Sequence, residues 1–122
     1  MRVLLSIKPE YAEKILAGEK HYEFRRTVFK NPAIKKVVIY ASNPVKKIVG
    51  EFDIECVIFL ELEDLWKETS KYSGIDKDFY DQYFDGKTFG YAIKVKKAKR
   101  YKNQLDLDKF KIKYPPQSFV YI

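Results

Sequence analysis

The 122 residues, 46% hydrophobic and sparing in glycine and proline, suffice for a buried core without disulfides and are too apolar for a disordered chain. One cysteine and no apolar run of bilayer length exclude a disulfide scaffold and a membrane span, and with no secretory leader in view they point to a cytoplasmic protein without a membrane partner. The net charge of +7 favours polyanionic partners. One domain over 1–122 is expected.

In chain order, Arg2–Ile7 is a nearly continuous apolar run, as in a central strand. Pro9 suits the first position of a helix, Pro9–Ala17, whose apolar stripe is Tyr11, Ala12, Ile15 and Leu16, and Gly18 stands where a left-handed residue ends it. Lys20–Thr27 then alternates as a half-buried strand. After the turn at Asn31-Pro32, Lys35–Ala41 is a third strand, closed by Ser42-Asn43-Pro44. Lys46–Glu61 is a long strand with Ile48, Gly50, Phe52, Ile54, Cys56, Ile58 and Leu60 on one parity, and Gly50 marks a bend or bulge. Asp64–Thr69 is one or two helical turns that Trp66 packs onto a barrel opening. Asp76 caps a helix with the stripe Phe79, Tyr80, Tyr83 and Phe84, stopped at Gly86. Thr88–Lys97 returns to strand, with Phe89 and Tyr91 assigned to the core beside Phe24 and Phe52, and Ser118–Ile122 closes the sheet.

Charge is unevenly spread, at +7 over residues 1–50, −8 over 51–85 and +8 over 86–122. If the terminal segments share one side, the molecule has a basic face, and Lys94–Lys102, with six cations in nine residues, is its densest part. A solvated lysine-rich surface reads equally well from composition. Tyr40, Tyr101 and Tyr121 are the candidate exposed stacking platforms.

No metal or cofactor is expected. His21 and Cys56 are too few for a structural zinc site, no glycine-rich phosphate loop occurs, and Cys56 on an apolar parity reads as a buried, inert thiol. What remains is Ser6, Lys8, Lys20, Glu23 and Arg25, with Tyr40 and Ser42 nearby. Arg25 can grip phosphate or a base edge, and Glu23 can orient a cation or accept from a base. Lys20 lies on the opposite strand parity, so the three converge only if the strand begins after it. Otherwise Glu23 and Arg25 form a surface pair worth under ~1 kcal/mol.

Gly18-x-Lys20-x-x-Glu23-x-Arg25 resembles the G-x-K-x-x-E-x-R signature of the ASCH domains, small β-barrels related to the PUA RNA-binding module. With Ser6-Ile7-Lys8-Pro9 ahead of it, the stretch is similar to a stand-alone branch described as predicted transcriptional regulators. The resemblance implies an α+β fold, a mixed PUA-like barrel of five to six strands with two or three short helices at its openings. It also implies a module that binds RNA, single-stranded nucleic acid or a modified nucleotide in a cleft beside the first helix, with Lys94, Lys96, Lys97, Lys99 and Arg100 holding the backbone.

Another ASCH branch implies an alternative, a hydrolase acting on 4-acetylcytidine. Lys20 matches its lysine, but Glu23 stands where that branch has threonine, and Glu61, Glu63 and Glu68 are the candidate carboxylate partners. Under this alternative Lys20 and Glu23 are the catalytic candidates. A third possibility is a protein partner docked on the acidic segment 51–85 through Trp66 and the Phe79–Phe84 stripe. Both short central helices are acidic, against a recognition helix for duplex DNA.

Overall fold

The computed structural model describes residues 1–122. Six strands form one mixed, curled sheet: β1 (Val3–Ile7), β2 (Tyr22–Arg25), β3 (Lys36–Ala41), β4 (Lys47–Glu61), β5 (Phe89–Leu105) and β6 (Phe119–Tyr121). Their order is β2-β5-β4-β3-β1-β6. Only β1 and β3 run parallel; the other neighbours are antiparallel. Three helices accompany the sheet: α1 (Pro9–Leu16), α2 (Leu62–Thr69) and α3 (Lys77–Tyr83). This is the mixed, PUA-like arrangement of six strands and three short helices that the resemblance implies, curled into a half-barrel. No helix is long and apolar enough to cross a membrane.

Local chemistry fixes the elements next to the cleft. Pro9 occupies the first turn of α1, Ala12 and Ile15 bury its stripe, and Gly18 at φ +81° turns the chain out of it. The backbone N–H groups of Glu19 and Lys20 both bond to the Lys14 carbonyl, so ladder pairing begins only at Tyr22. Asp76 accepts from the Phe79 amide at 2.8 Å and starts α3.

The core has three parts. The largest lies inside the curl, between α1 and β1, β3, β4 and β5, around Val3, Ile15, Ile39, Phe52 and Ile93. A second packs α2 and α3 against Tyr22, Phe24 and Ala92, with Trp66 on Tyr80 at 4.8 Å. A third, around Leu4, Val38, Tyr40 and Ile48, is covered from the side of Tyr101, Leu107 and Phe110.

β4 and β5 depart from simple alternation. Their register slips at Ile48/Gly50, Glu51/Asp53 and Ile54/Cys56. At the first slip β5 comes so near that a Cβ on Gly50 would stand 2.5 Å from the Lys99 carbonyl oxygen and 2.8 Å from Leu16. The last slip turns Cys56 outward, so the thiol expected in the core is exposed. Beyond it the β4–β5 ribbon outruns the barrel. Phe89, expected inside, is 43% exposed and stacks on Phe59 at 5.2 Å, and Tyr91 is half-buried.

β5 also continues past Lys97, where the expected strand ended, through the rest of the lysine run to Leu105. The acidic start of β4 pairs with it, Asp53 opposite Lys96 and Glu51 opposite Lys99. Lys36 on the other side bonds both Glu51 (2.5 Å) and Asp53 (2.9 Å). Basic and acidic segments therefore interleave here instead of forming two separate faces.

Candidate functional site

Because β2 starts at Tyr22, Lys20 stays on the turn, and it enters the same cavity as Glu23 and Arg25 despite their opposite parity. The cavity holds about 660 Å³ and opens between α1, β2, α3 and the segment 115–118. All three side chains are at least nine-tenths buried.

Lys20 is the deepest, at 2% exposure. Its Nζ donates to the Ser73 carbonyl at 2.5 Å and lies 4.8 Å from the Phe24 ring centroid and 5.5 Å from that of Tyr11. Burial drives this ammonium down to about 8, against the opposing charge of Glu23. Gly74, at φ +72°, lets the chain pass over the lysine stem: a Cβ there would sit 2.6 Å from Lys20 Cγ.

Glu23 and Arg25 project from the same face of β2. Glu23 Oε2 meets Arg25 Nη2 at 3.1 Å. The same Nη2 donates to the Ser6 carbonyl at 2.9 Å, and Nη1 reaches the Ser118 hydroxyl and carbonyl at 3.5 Å. Arg25 Nε is buried without a partner. This is no exposed surface pair.

Ser6, Lys8, Tyr40 and Ser42 line the same space. Ser6 Oγ donates to the Pro116 carbonyl at 2.6 Å, which holds the 115–118 segment over β1. Tyr40 is 3% exposed, so it is a wall residue and not the open stacking platform expected of it. Tyr101 is likewise half-buried, its hydroxyl donating to Glu51 at 2.8 Å, whereas Tyr121 is exposed.

The lysine run is elsewhere. Lys94, Lys96, Lys97, Lys99 and Arg100 do not line the cavity. Lys94 pairs with Glu55 at 2.9 Å and Arg100 clasps Glu13 through both Nη atoms at 2.8 and 2.6 Å, which leaves Lys96, Lys97, Lys99 and Lys102 as its exposed, unpaired cations. Glu61, Glu63 and Glu68, the carboxylates considered for hydrolysis, are exposed and outside the cavity. The aromatic stripe considered for a protein partner is mostly spent on packing: Tyr80 and Phe84 are buried, and the large apolar side chains left open on 51–85 are Val57, Phe59 and Tyr72. His21 sits on the rim of the turn, its ring 4.3 Å from that of Tyr72.

Several lining residues were not assigned to the cleft from the sequence. Phe79 and Tyr83, on the inner side of α3, supply aromatic wall; Tyr83 donates to the Phe24 carbonyl at 3.1 Å, and burial pushes its phenol up. Lys46, at φ +55°, and Arg26 add cations at the mouth. The cavity thus gathers five cations (Lys8, Lys20, Arg25, Arg26, Lys46) and one carboxylate, Glu23, around aromatic rings. Such a site can hold an anionic group at its rim and a flat, partly polar ring within.

Comparison with known proteins agrees with this architecture. The ASCH domain model matches residues 5–102. Large ribosomal subunit protein uL22 of Ureaplasma parvum is 35% identical over 121 residues, which cover 98% of this chain and 39% of that relative. An ASCH domain-containing ribonuclease of Zymomonas mobilis is 27% identical over 122 residues, covering 98% of this chain and 82% of the relative. The crystal structure of ASCH from Zymomonas mobilis superposes with a TM-score of 0.90 at 28% identity, over 99% of this chain and 87% of that one. This chain belongs to the ASCH domain family.

Proposed function

We propose that this ASCH chain captures single-stranded RNA by drawing one nucleotide into the cavity of Lys20, Glu23 and Arg25. The observation that carries the reading is the joint presence of aromatic walls, five cations and one carboxylate in a concavity of about 660 Å³, a size suited to a small ligand. Tyr11, Phe79 and Tyr83 flank the base, and Lys8, Lys46 and Arg26 neutralise the phosphates entering and leaving it. Lys96, Lys97 and Lys99 extend the cationic track along β5. A role in RNA metabolism, including control of transcription or translation, follows from such capture.

Fluorescence polarisation with a labelled single-stranded RNA tests it. Lys8 and Lys46 are exposed at the mouth, so the double variant Lys8→Ala/Lys46→Ala keeps the fold. Its plot of log affinity against log salt should flatten by about 1.4, the loss of two phosphate contacts on a single strand. An unchanged slope would remove the cavity from RNA binding.

A second reading, strand cleavage, has support in the relative named a ribonuclease and in the buried Lys20 at about pH 8 beside Glu23. The ribose 2′-oxygen would attack the adjacent phosphorus and lose its proton to a base; the 5′-oxygen would leave with a proton from an acid. The products would be a 2′,3′-cyclic phosphate and a 5′-hydroxyl, with Lys20 and Glu23 as the proton-carrying candidates. Incubating end-labelled RNA with the protein decides between the readings: cyclic-phosphate ends absent from a Lys20→Met control mean cleavage, and intact RNA in a stable complex means binding alone. Acetylated cytidine offered in parallel tests the deacetylase alternative.

A further inference from the structure

We infer that Glu23 selects the base in the cavity, and that the base it accepts carries a lactam N–H, as guanine and uracil do. The inference rests on the RNA-binding reading above and adds the ligand's chemistry. Glu23 is the only acid among the residues lining the cavity. Its carboxylate is half used: Oε2 meets Arg25 Nη2 at 3.1 Å, and Oε1 is left to receive a donor from inside the cavity. It is also held still. Arg25 is anchored at 2.9 Å to the Ser6 carbonyl on the far side of the gap, and Glu23 lies in the β2–β5 ladder opposite Ile93.

A fixed, buried carboxylate between cations offers an acceptor flanked by donors. The ring N–H of guanine or uracil is the most acidic N–H of its base, so its bond to a carboxylate is the strongest available, and a carbonyl oxygen beside it meets the neighbouring cation. Adenine and cytosine present an unprotonated ring nitrogen in that place, setting a lone pair against the carboxylate. A buried polar group left unpaired is what makes such sites selective. The phosphates, by contrast, meet only lysines and arginine at the mouth, which are blind to sequence.

The test is competition of nucleoside monophosphates against a labelled single-stranded RNA. Guanosine, inosine and uridine monophosphates should displace it at concentrations about tenfold below those needed for adenosine and cytidine monophosphates. N1-methylguanosine and N3-methyluridine monophosphates, which lack the lactam N–H, should fall to the adenosine and cytidine level. Glu23→Gln should bring the two groups within about threefold of each other. Equal competition by all bases, a preference for adenosine or cytidine, or methylated forms as potent as their parents would each overturn the assignment. The methylated nucleotides decide the matter in the wild-type protein even if Glu23→Gln does not fold. Failure of the labelled RNA to bind at all would instead sink the RNA-binding reading, and this inference with it.

Discussion

Consider what the buried ammonium of Lys20 does to folding. Its environment lowers it from 10.5 to about 8, because burial strips the water that a cation prefers and a single carbonyl acceptor with two ring faces does not fully replace it. At 2% exposure solvent screens little of this effect, and the drop corresponds to roughly 3 kcal/mol. Below the folded value both states carry the proton and the full cost is present. Between the two values the unfolded chain holds the proton and the folded chain does not, so raising the pH favours folding. Lys20→Met keeps an unbranched stem under Gly74 and removes the titration. Urea melts of the two proteins from about pH 7 to about pH 10 should show the wild type gaining roughly 2.5 kcal/mol on the variant across that range. Titrations common to both proteins cancel in the difference. Parallel curves would show that Lys20 keeps an ordinary proton affinity, and with it the argument for a tuned group in the cavity would fall.

Three other outcomes follow from the packing. Gly74→Ala forces a side chain into a left-handed backbone and against Lys20 Cγ, so its urea midpoint should drop by the equivalent of about 1–3 kcal/mol and its RNA affinity should fall with it. Gly50→Ala meets the rigid Lys99 carbonyl; it should destabilise by about 1–3 kcal/mol without changing which nucleotides compete, and a midpoint equal to wild type would refute the close approach of β4 and β5. Lys96→Gln/Lys97→Gln/Lys99→Gln should flatten the salt dependence of RNA binding by about 2 in log–log slope and leave base preference untouched; an unaltered slope would take the nucleic acid off β5.

The sequence was legible where local chemistry decides. Pro9, Gly18 and Asp76 act within one turn of themselves, and α1, the exit from it and the start of α3 came out as expected. The convergence of Lys20 with Glu23 and Arg25 was legible only as a condition, since it depends on where β2 begins, and that is set by the amides of Glu19 and Lys20 capping α1. Strand periodicity failed at the register slips of β4. One unpaired residue reverses which parity faces the inner core, and so Cys56, Ile58 and Leu60 all turn to the outer face, where Ile58 and Leu60 pack under α2 and Cys56 stays uncovered. Tyr40 was a candidate platform, yet β3 is interior to the sheet and covered on both faces. The walls supplied by Phe79, Tyr83 and Pro116 come from segments 50 or more residues beyond the motif, and no local pattern ties them to it.

The same sheet explains why the site lies where it does. β2 and β6 are the two edges, and no ladder joins them. A closed barrel would have paired β2 with the free edge of β6 at this point. Here the seam is crossed by a side chain: Arg25 leaves β2 and bonds Ser6 on β1 and Ser118 at the entrance to β6. A guanidinium can make such a crossing because its donors point in several directions from one plane. Glu23 then compensates the charge that the crossing buries. The ion pair is thus at once the closure of the curl and the floor of its opening. A ligand entering there meets groups held by the fold itself, so the site is organised before anything binds.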